Sequence, residues 1–468
     1  MTVFRFSSEE LFRPIPFLDG DVVDMGILEA ARTSVDHYAI RQGQPIVVDD
    51  QWDIDEQLTQ FATMVSRTER SELTALTYTR EAEVFSRYLA HRGRQLTEVV
   101  EDDLWDYRNA RLNGSLEVRL KPTSWNKVAA ALLRLLGHLK LKFDGIRWRD
   151  FRASVEVDDR VRMISLPDYL RFRNVGMAGN RNRLRNAAFA DLLVTSGARC
   201  TEGALLLRHE VPDRSRFEAH NTIMVELPAT ITKWEKRRDV PFSKRFVRHF
   251  LDPYVEEERA HVVAQTIARL FPRKSYSIDG LERLSNFIFF ERVEGKKIRI
   301  IAGDAEKLVV PMAKLTQRER KKLIEVAANN NRQSFKIIDF GFLWVSEVGS
   351  CVTNSTWLST FDAACVTVGP EDDPELKVTP HMLRHTFAVH HLSFMLKGLL
   401  DVRAERGRLD RRGEVYDRVV GDPLRQLQTL LGHRSIQTTY KYLTYVEDNQ
   451  ELVARATEGW DATLGWRK

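Results

Sequence analysis

Two runs near the carboxyl end hold the residues whose types and spacing suggest chemistry. Thr379 to Ala388 reads TPHMLRHTFA, and Leu431 to Tyr442 reads LGHRSIQTTYKY. Together they offer a guanidinium, several imidazoles and a tyrosine hydroxyl, with no thiol, metal-ligand pair or glycine-rich phosphate loop alongside. His381 and Arg384 are three apart and share a face if the run is helical. Pro380 suits the first helical turn, where its missing N–H costs nothing. Leu383, Phe387, Val389 and Leu392 give that helix an apolar stripe for a core. Gly432 ends one helix and opens another that carries Tyr442. A cation, a proton carrier and a tyrosine on packed helices suit covalent attack on a phosphodiester. Arginine takes the non-bridging oxygens in a bidentate fork, and a tyrosine oxygen can serve as nucleophile.

The pattern HxLRH, followed by LGH nine residues before a tyrosine, resembles the tyrosine recombinase (phage integrase) family. Read alone, the second run also describes a helix-turn-helix DNA reader, and the first a capped surface helix. The resemblance calls for further residues upstream, and they are present in order. Gly197-Ala198-Arg199-Cys200-Thr201-Glu202 is similar to the family's first arginine box, which makes Arg199 a second phosphate clamp. Lys233-Trp234-Glu235-Lys236-Arg237-Arg238-Asp239-Val240-Pro241 resembles its hairpin, with Lys233 as the catalytic lysine and Lys236 as the rival. The resemblance thus implies a catalytic set of Arg199, Lys233, His381, Arg384, His433 and the nucleophile Tyr442, supported by Glu202 and His385. His381 would accept the tyrosine proton, Lys233 would protonate the departing 5′ oxygen, and His433 would bond a non-bridging oxygen. Tyr440 faces elsewhere on a helix, while Tyr445 shares roughly the face of Tyr442 one turn later.

These residues need elements to position them. Leu184, Ala188, Phe189, Leu192 and Leu193 mark a helix face leading to the Arg199 box. Thr222 to Leu227 alternates as a strand that Ala229 to Thr232 can continue, and the segment after Lys233 turns into a second strand. Asn354 to Cys365 resembles the family's helix before HxxR. Upstream, Thr77 to Leu89 is helical. A helix from Thr123, behind a Thr/Ser cap, lines up Val128, Leu132, Leu135, Leu136 and Leu139. The expected fold is mainly α with a small antiparallel β-sheet, a helical core-binding (SAM-like) domain preceding a tyrosine-recombinase catalytic domain. The expected division is an extension at 1–55, the helical domain at 56–146, a linker at 147–164, the catalytic domain at 165–448 and a tail at 449–468. Compared with compact members of the family, the catalytic portion is long, implying insertions near 255–345 and 398–422. In the first, Leu308 to Val310 and Lys336 to Ile338 look like strands, and Thr316 to Ala328 like a helix with a basic front. The tail, with Leu452, Ala456, Trp460 and Leu464 spaced by four, can form a one-sided apolar helix.

The 468 residues carry a net charge of +5 and three cysteines without a CxxC. That pattern suits reduced thiols in a cytoplasmic protein, and no run is apolar enough to span a membrane. Basic clusters say more than the total. Arg181, Arg183, Arg185, Lys236, Arg238 and the arginine-rich Arg403 to Arg412 are candidate DNA-binding residues. The resemblance implies double-stranded DNA at a specific site as partner, self-association into a tetramer on it, room for accessory proteins, and neither cofactor nor metal. Two other readings share the motifs: a type IB topoisomerase, and a non-catalytic DNA-binding regulator. A metal-dependent transposase would need spaced carboxylates, whereas Glu371-Asp372-Asp373 is a contiguous run.

Overall fold

The computed structural model describes residues 1–6, 40–41, 43–51, 53–69, 72–114, 119–155, 161–179, 181–284, 286–293, 295–301, 309–329, 333–369, 376–407 and 422–443. The chain forms two units, Met1–Asp158 and Asp159–Lys468, each with its own core.

The first unit is helical: α1 (Glu56–Thr68), α2 (Glu72–His91), α3 (Glu101–Asn113), α4 (Pro122–His138) and the short α5 (Trp148–Phe151). Asp55 caps α1 by accepting from the Leu58 N–H, the usual role of a short acidic side chain there. The Thr/Ser cap expected for α4 is not used. Lys121 occupies that position with no side-chain bond, and Pro122 starts the helix. One face of α4 buries Trp125, Val128, Leu132, Leu135 and Leu136. The Trp125 ring meets Phe151 edge-on at 5.2 Å and its N–H donates to the Phe151 carbonyl at 2.9 Å. Residues 148–151 of the expected linker therefore belong to this core. Part of the expected extension does too, because β1 (Thr2–Arg5) and β2 (Pro45–Val48) pair antiparallel and bury Val47 against the helices.

In the second unit Val161 and Ile164, both assigned to the linker by sequence, are buried in core clusters, and α6 (Leu166–Arg171) follows, capped by Ser165. Its centre is α7 (Arg183–Ser196), where Phe189 stacks on Trp357 at 3.6 Å. Trp357 lies on α10 (Asn354–Val368). Between them come α8 (Cys200–Ala204), β3 (Thr222–Leu227) and β4 (Arg238–Ser243). The two strands pair antiparallel from Thr222 opposite Ser243 to Leu227 opposite Arg238. Residues 229–231 do not extend β3; they form a turn of 3-10 helix after Pro228.

The long insertion contains α9 (Ala260–Leu270) and a five-stranded sheet. Its strands are β5 (Ile288–Arg292), β6 (Lys297–Ile300), β7 (Val309–Pro311), β8 (Leu323–Ala328) and β9 (Phe335–Phe340), in the order β7-β6-β5-β8-β9. All neighbours are antiparallel except β5 and β8. Residues 316–328, expected as one helix, give a single turn at Gln317–Arg320 and then β8. Nor is the front of that turn wholly solvated. Arg320 is buried, gripping Glu210 through two bonds of 2.8 Å and so tying the insertion to the chain after α8.

The unit closes with α11 (Pro380–Gly407), α12 (Pro423–Leu431) and the four-residue α13 (Gln437–Tyr440). The α11 backbone runs into the second expected insertion. Residues 408–421, the acidic run at 371–373, Tyr445 and the tail at 449–468 lie outside the described residues, as do the side chains of 399–407.

Candidate active site

In the second unit, two of the described helices end at a glycine in the left-handed conformation, Gly197 after α7 (φ 64°) and Gly432 after α12 (φ 61°). Helix ends leave carbonyls without intrahelical partners and carry partial negative charge. Three guanidiniums gather on those carbonyls. Arg384 donates to the Gly197 carbonyl at 2.5 Å and to the Leu431 carbonyl. Arg238 donates to the Leu430 carbonyl, and Arg199 to the Gly432 carbonyl at 3.4 Å. Glycine is required at both ends for space as well as for φ. A Cβ at 197 would sit 2.4 Å from the Phe387 ring, and one at 432 would sit 2.7 Å from Arg238 Cδ.

Glu202 is the carboxylate among these cations. It accepts from Arg199 Nη1 at 2.7 Å, from the Arg199 backbone N–H at 2.7 Å and from Arg238 Nη2 at 2.5 Å. Burial opposes its charge, yet Arg238, Arg199 and Arg384 hold its carboxyl below the usual range. Three guanidiniums around one carboxylate leave positive charge unbalanced. Burial, with Arg199 and Arg238 nearby, pulls Arg384 down to about 9.

Tyr442 follows α13 in a turn and is 1% exposed. Its hydroxyl lies 2.8 Å from His385 Nδ1, one helical turn along α11 from His381. His381, expected to take the phenolic proton, sits instead at the exposed rim with its ring 4.3 Å from that of His385. The physical reason is depth. The turn bearing Tyr442 inserts beside the buried end of the histidine pair. Burial pushes the phenol up to about 12, while Arg384 and Arg199 act to lower it. Burial and the same positive field hold His385 and His433 down at about 3. His381 is also lowered, by its partial cover and then by Arg384, Lys441, Arg199 and Lys233. Both imidazoles, His385 buried and His433 half-buried, are therefore neutral near pH 7. His433 packs parallel to the Tyr442 ring at 6.1 Å and shares a 3.0 Å hydrogen bond with Thr439.

Lys233 stands on the turn joining β3 to β4, exposed, with its ammonium 5.3 Å from the centre of the Trp234 ring. From the other segment, the Arg434 guanidinium lies 5.8 Å from the same ring. Trp234 (φ 69°) and Glu235 (φ 51°) both adopt left-handed backbone, which costs a non-glycine residue roughly 1–2 kcal/mol.

The structure thus brings together Arg199, Glu202, Arg384, His385, His433 and Tyr442, with His381 and Lys233 at the rim. Two of the expected DNA-binding residues are placed otherwise. Arg185 is buried, donating to the Val345 carbonyl at 3.1 Å with its guanidinium over Trp357. Arg238 is buried in the arginine cluster. Arg181, Arg183 and Lys236 are exposed, although Arg181 pairs with Glu347 at 3.3 Å. Sequence reasoning passed over Trp234 and Arg434. The one available signal was a bulky aromatic inside an otherwise polar, charged hairpin turn.

Residues 58–142 match the family model described as phage integrase, N-terminal SAM-like domain. No curated protein matches the chain. Among solved structures, the chain is similar to the XerH site-specific recombinase bound to its difH substrate before cleavage, at 14% identity and a TM-score of 0.46, covering 94% of this chain and 91% of that one. It is similar to the Tn1549 transposon integrase (aa 82–397) in complex with circular intermediate DNA, at 14% identity and 0.43, covering 86% and 99%. It is also similar to the XerA recombinase, at 17% identity and 0.32, covering 86% and 98%. Among the described residues no helix is long and apolar enough to cross a membrane.

Proposed function

We propose that this chain is a tyrosine recombinase, cleaving and rejoining DNA at a specific site through a phosphotyrosyl link. The observation that carries the reading is the Tyr442 hydroxyl, held 2.8 Å from His385 Nδ1 in the field of Arg384 and Arg199. The SAM-like match at 58–142, in the unit ahead of this site, supports it.

The chemistry follows from the groups. A phosphate entering beside the arginines brings negative charge to a place where positive charge is unbalanced. In-line attack adds further charge to its oxygens, and preorganised guanidiniums stabilise that charge without reorganising. Tyr442 attacks phosphorus as its proton passes toward His385, while Arg199 and Arg384 hold the non-bridging oxygens. Lys233 donates a proton to the departing 5′ oxygen as general acid. The phosphotyrosyl bond conserves the energy of the broken phosphodiester, so a second 5′ hydroxyl can reverse the step without ATP. Self-association into a tetramer on the DNA completes the proposal.

The test is covalent trapping on denaturing gels with nicked duplexes taken from the DNA flanking this gene. The unaltered protein should give a protein–DNA band, indifferent to chelator, that Tyr442→Phe abolishes and Tyr440→Phe preserves. A band lost only with Tyr440→Phe would overturn the nucleophile. Tight binding with no band across the flanking DNA would favour a binding protein over an enzyme.

A further inference from the structure

The turn between β3 and β4 exposes a tryptophan in left-handed backbone, with two cations from separate segments over its ring. Trp234 is 56% exposed, so apolar burial does not explain its presence there. Its neighbours do. Lys233 precedes it in sequence, while Arg434 arrives from the loop after α12, directly beside His433. A lysine side chain has four rotatable carbons and a strongly hydrated head, so an exposed lysine has no fixed position without a partner. An aromatic face supplies one without neutralising the charge, as a carboxylate would.

We propose that Trp234 is a positioning residue: its indole holds the Lys233 ammonium and the Arg434 guanidinium at the rim, presenting Lys233 to the leaving oxygen. The inference rests on the recombinase reading and deepens it. In the step it serves, the Tyr442 oxygen bonds to phosphorus and the phosphorus–5′ oxygen bond breaks. The departing oxygen takes one proton from the Lys233 ammonium, which becomes an amine. Lys233 and His381 are both exposed, and the lysine's charge is among those that lower the His381 imidazole, after burial, Arg384, Lys441 and Arg199. Because the ring engages Arg434 as well, it also links the hairpin to the loop that carries His433.

The decisive comparison uses two duplexes cut at the phosphate mapped by trapping. One has the ordinary bridging 5′ oxygen, and the other has sulfur in its place. A thiolate is a far better leaving group than an alkoxide and departs without a general acid. On the oxygen duplex Trp234→Leu should slow cleavage roughly tenfold, the scale of one lost cation–π contact. Lys233→Met should slow it by about a hundredfold or more, and Trp234→Phe should restore most of the rate. On the sulfur duplex all three should cleave at the unaltered rate. Equal slowing of Trp234→Leu on both duplexes would overturn the inference in favour of a DNA contact or a damaged fold. Unaltered cleavage of the oxygen duplex by Trp234→Leu would overturn it as well. If the unaltered protein forms no covalent product in the mapping experiment, the recombinase reading itself falls, and this inference with it.

Discussion

Arg320 and Arg384 are equally buried, each 1% exposed, yet they are held in opposite ways. Arg320 has a carboxylate to itself. It makes two bonds of 2.8 Å to Glu210, and the carbonyls of Leu205, Leu315 and Met312 take further N–H groups. Arg384 donates to the carbonyls of Gly197 and Leu431, and it shares the Glu202 carboxylate's field with its like-charged neighbours Arg199 and Arg238. The first arrangement closes its own charge and joins two stretches of chain. The second leaves positive charge that, on the proposed function, a phosphate would balance. Burial alone therefore does not separate an arginine that serves the fold from one proposed to bind phosphate; the local charge balance distinguishes these two.

Exchanging the two losses should break or establish that contrast most visibly. Arg384→Ala should cut covalent product formation by about 10²–10³-fold and leave stability within about 1 kcal/mol, because repulsion is relieved as bonds are lost. Arg320→Met should destabilise by about 3–5 kcal/mol by stranding the Glu210 charge, with product per folded molecule unchanged. Denaturant melts and trapping gels read both, and equal destabilisation by the two would end the distinction. Next in size is Glu202→Gln. Removing the carboxylate from among three guanidiniums should cost roughly 2–3 kcal/mol of stability, and added sulfate should recover part of that.

A third test uses pH. His433 is held at about 3 in the folded chain, whereas an unfolded histidine titrates near 6.5. The unfolded state binds the proton that the native state refuses, so this contribution is present above about pH 6.5 and is lost as pH falls toward 3. His433→Asn should flatten the decline in stability over that window, and an identical slope in the variant would contradict the assigned environment. The smallest expected effect is that of sulfate on the unaltered protein. A site short of one anion should gain about 1 kcal/mol from binding it. Arg384→Ala should lose that gain while keeping the general salting-out contribution.

How far the sequence led depended on how local each cause was. The helix leading to Arg199, the helix from Pro380, the strand at Thr222 to Leu227 and the helix end at Gly432 all follow from neighbouring residues, and the structure places them as expected. The helix expected to carry Tyr442 instead stops at Tyr440, with Tyr442 in the turn beyond it. Where partners are remote in the chain, sequence reasoning stopped. Arg238 answers to Glu202, and Arg320 to Glu210, so a basic cluster gave no sign of which members turn inward. The choice of His385 over His381 has the same origin. Both share a face of α11, and Tyr442, from another segment, decides between them. Residues 323–328 resemble a helix because LIEVAA has no clean alternation. Their place beside β5 and β9, within one sheet, favours a strand all the same.

If Tyr442 is the nucleophile, as we propose, its place after the other site residues matters during synthesis. The arginine box, the lysine turn and the histidine helix all leave the ribosome before Tyr442, which follows the last described helix. The helical unit at 1–158 has its own core and can fold well before then. On the proposed reading, a polypeptide still being translated would acquire surfaces that engage DNA before it has a group with which to cut. Prematurely terminated chains would then share that property, and on the same proposal would occupy target sites as competitors of the finished protein without opening a strand.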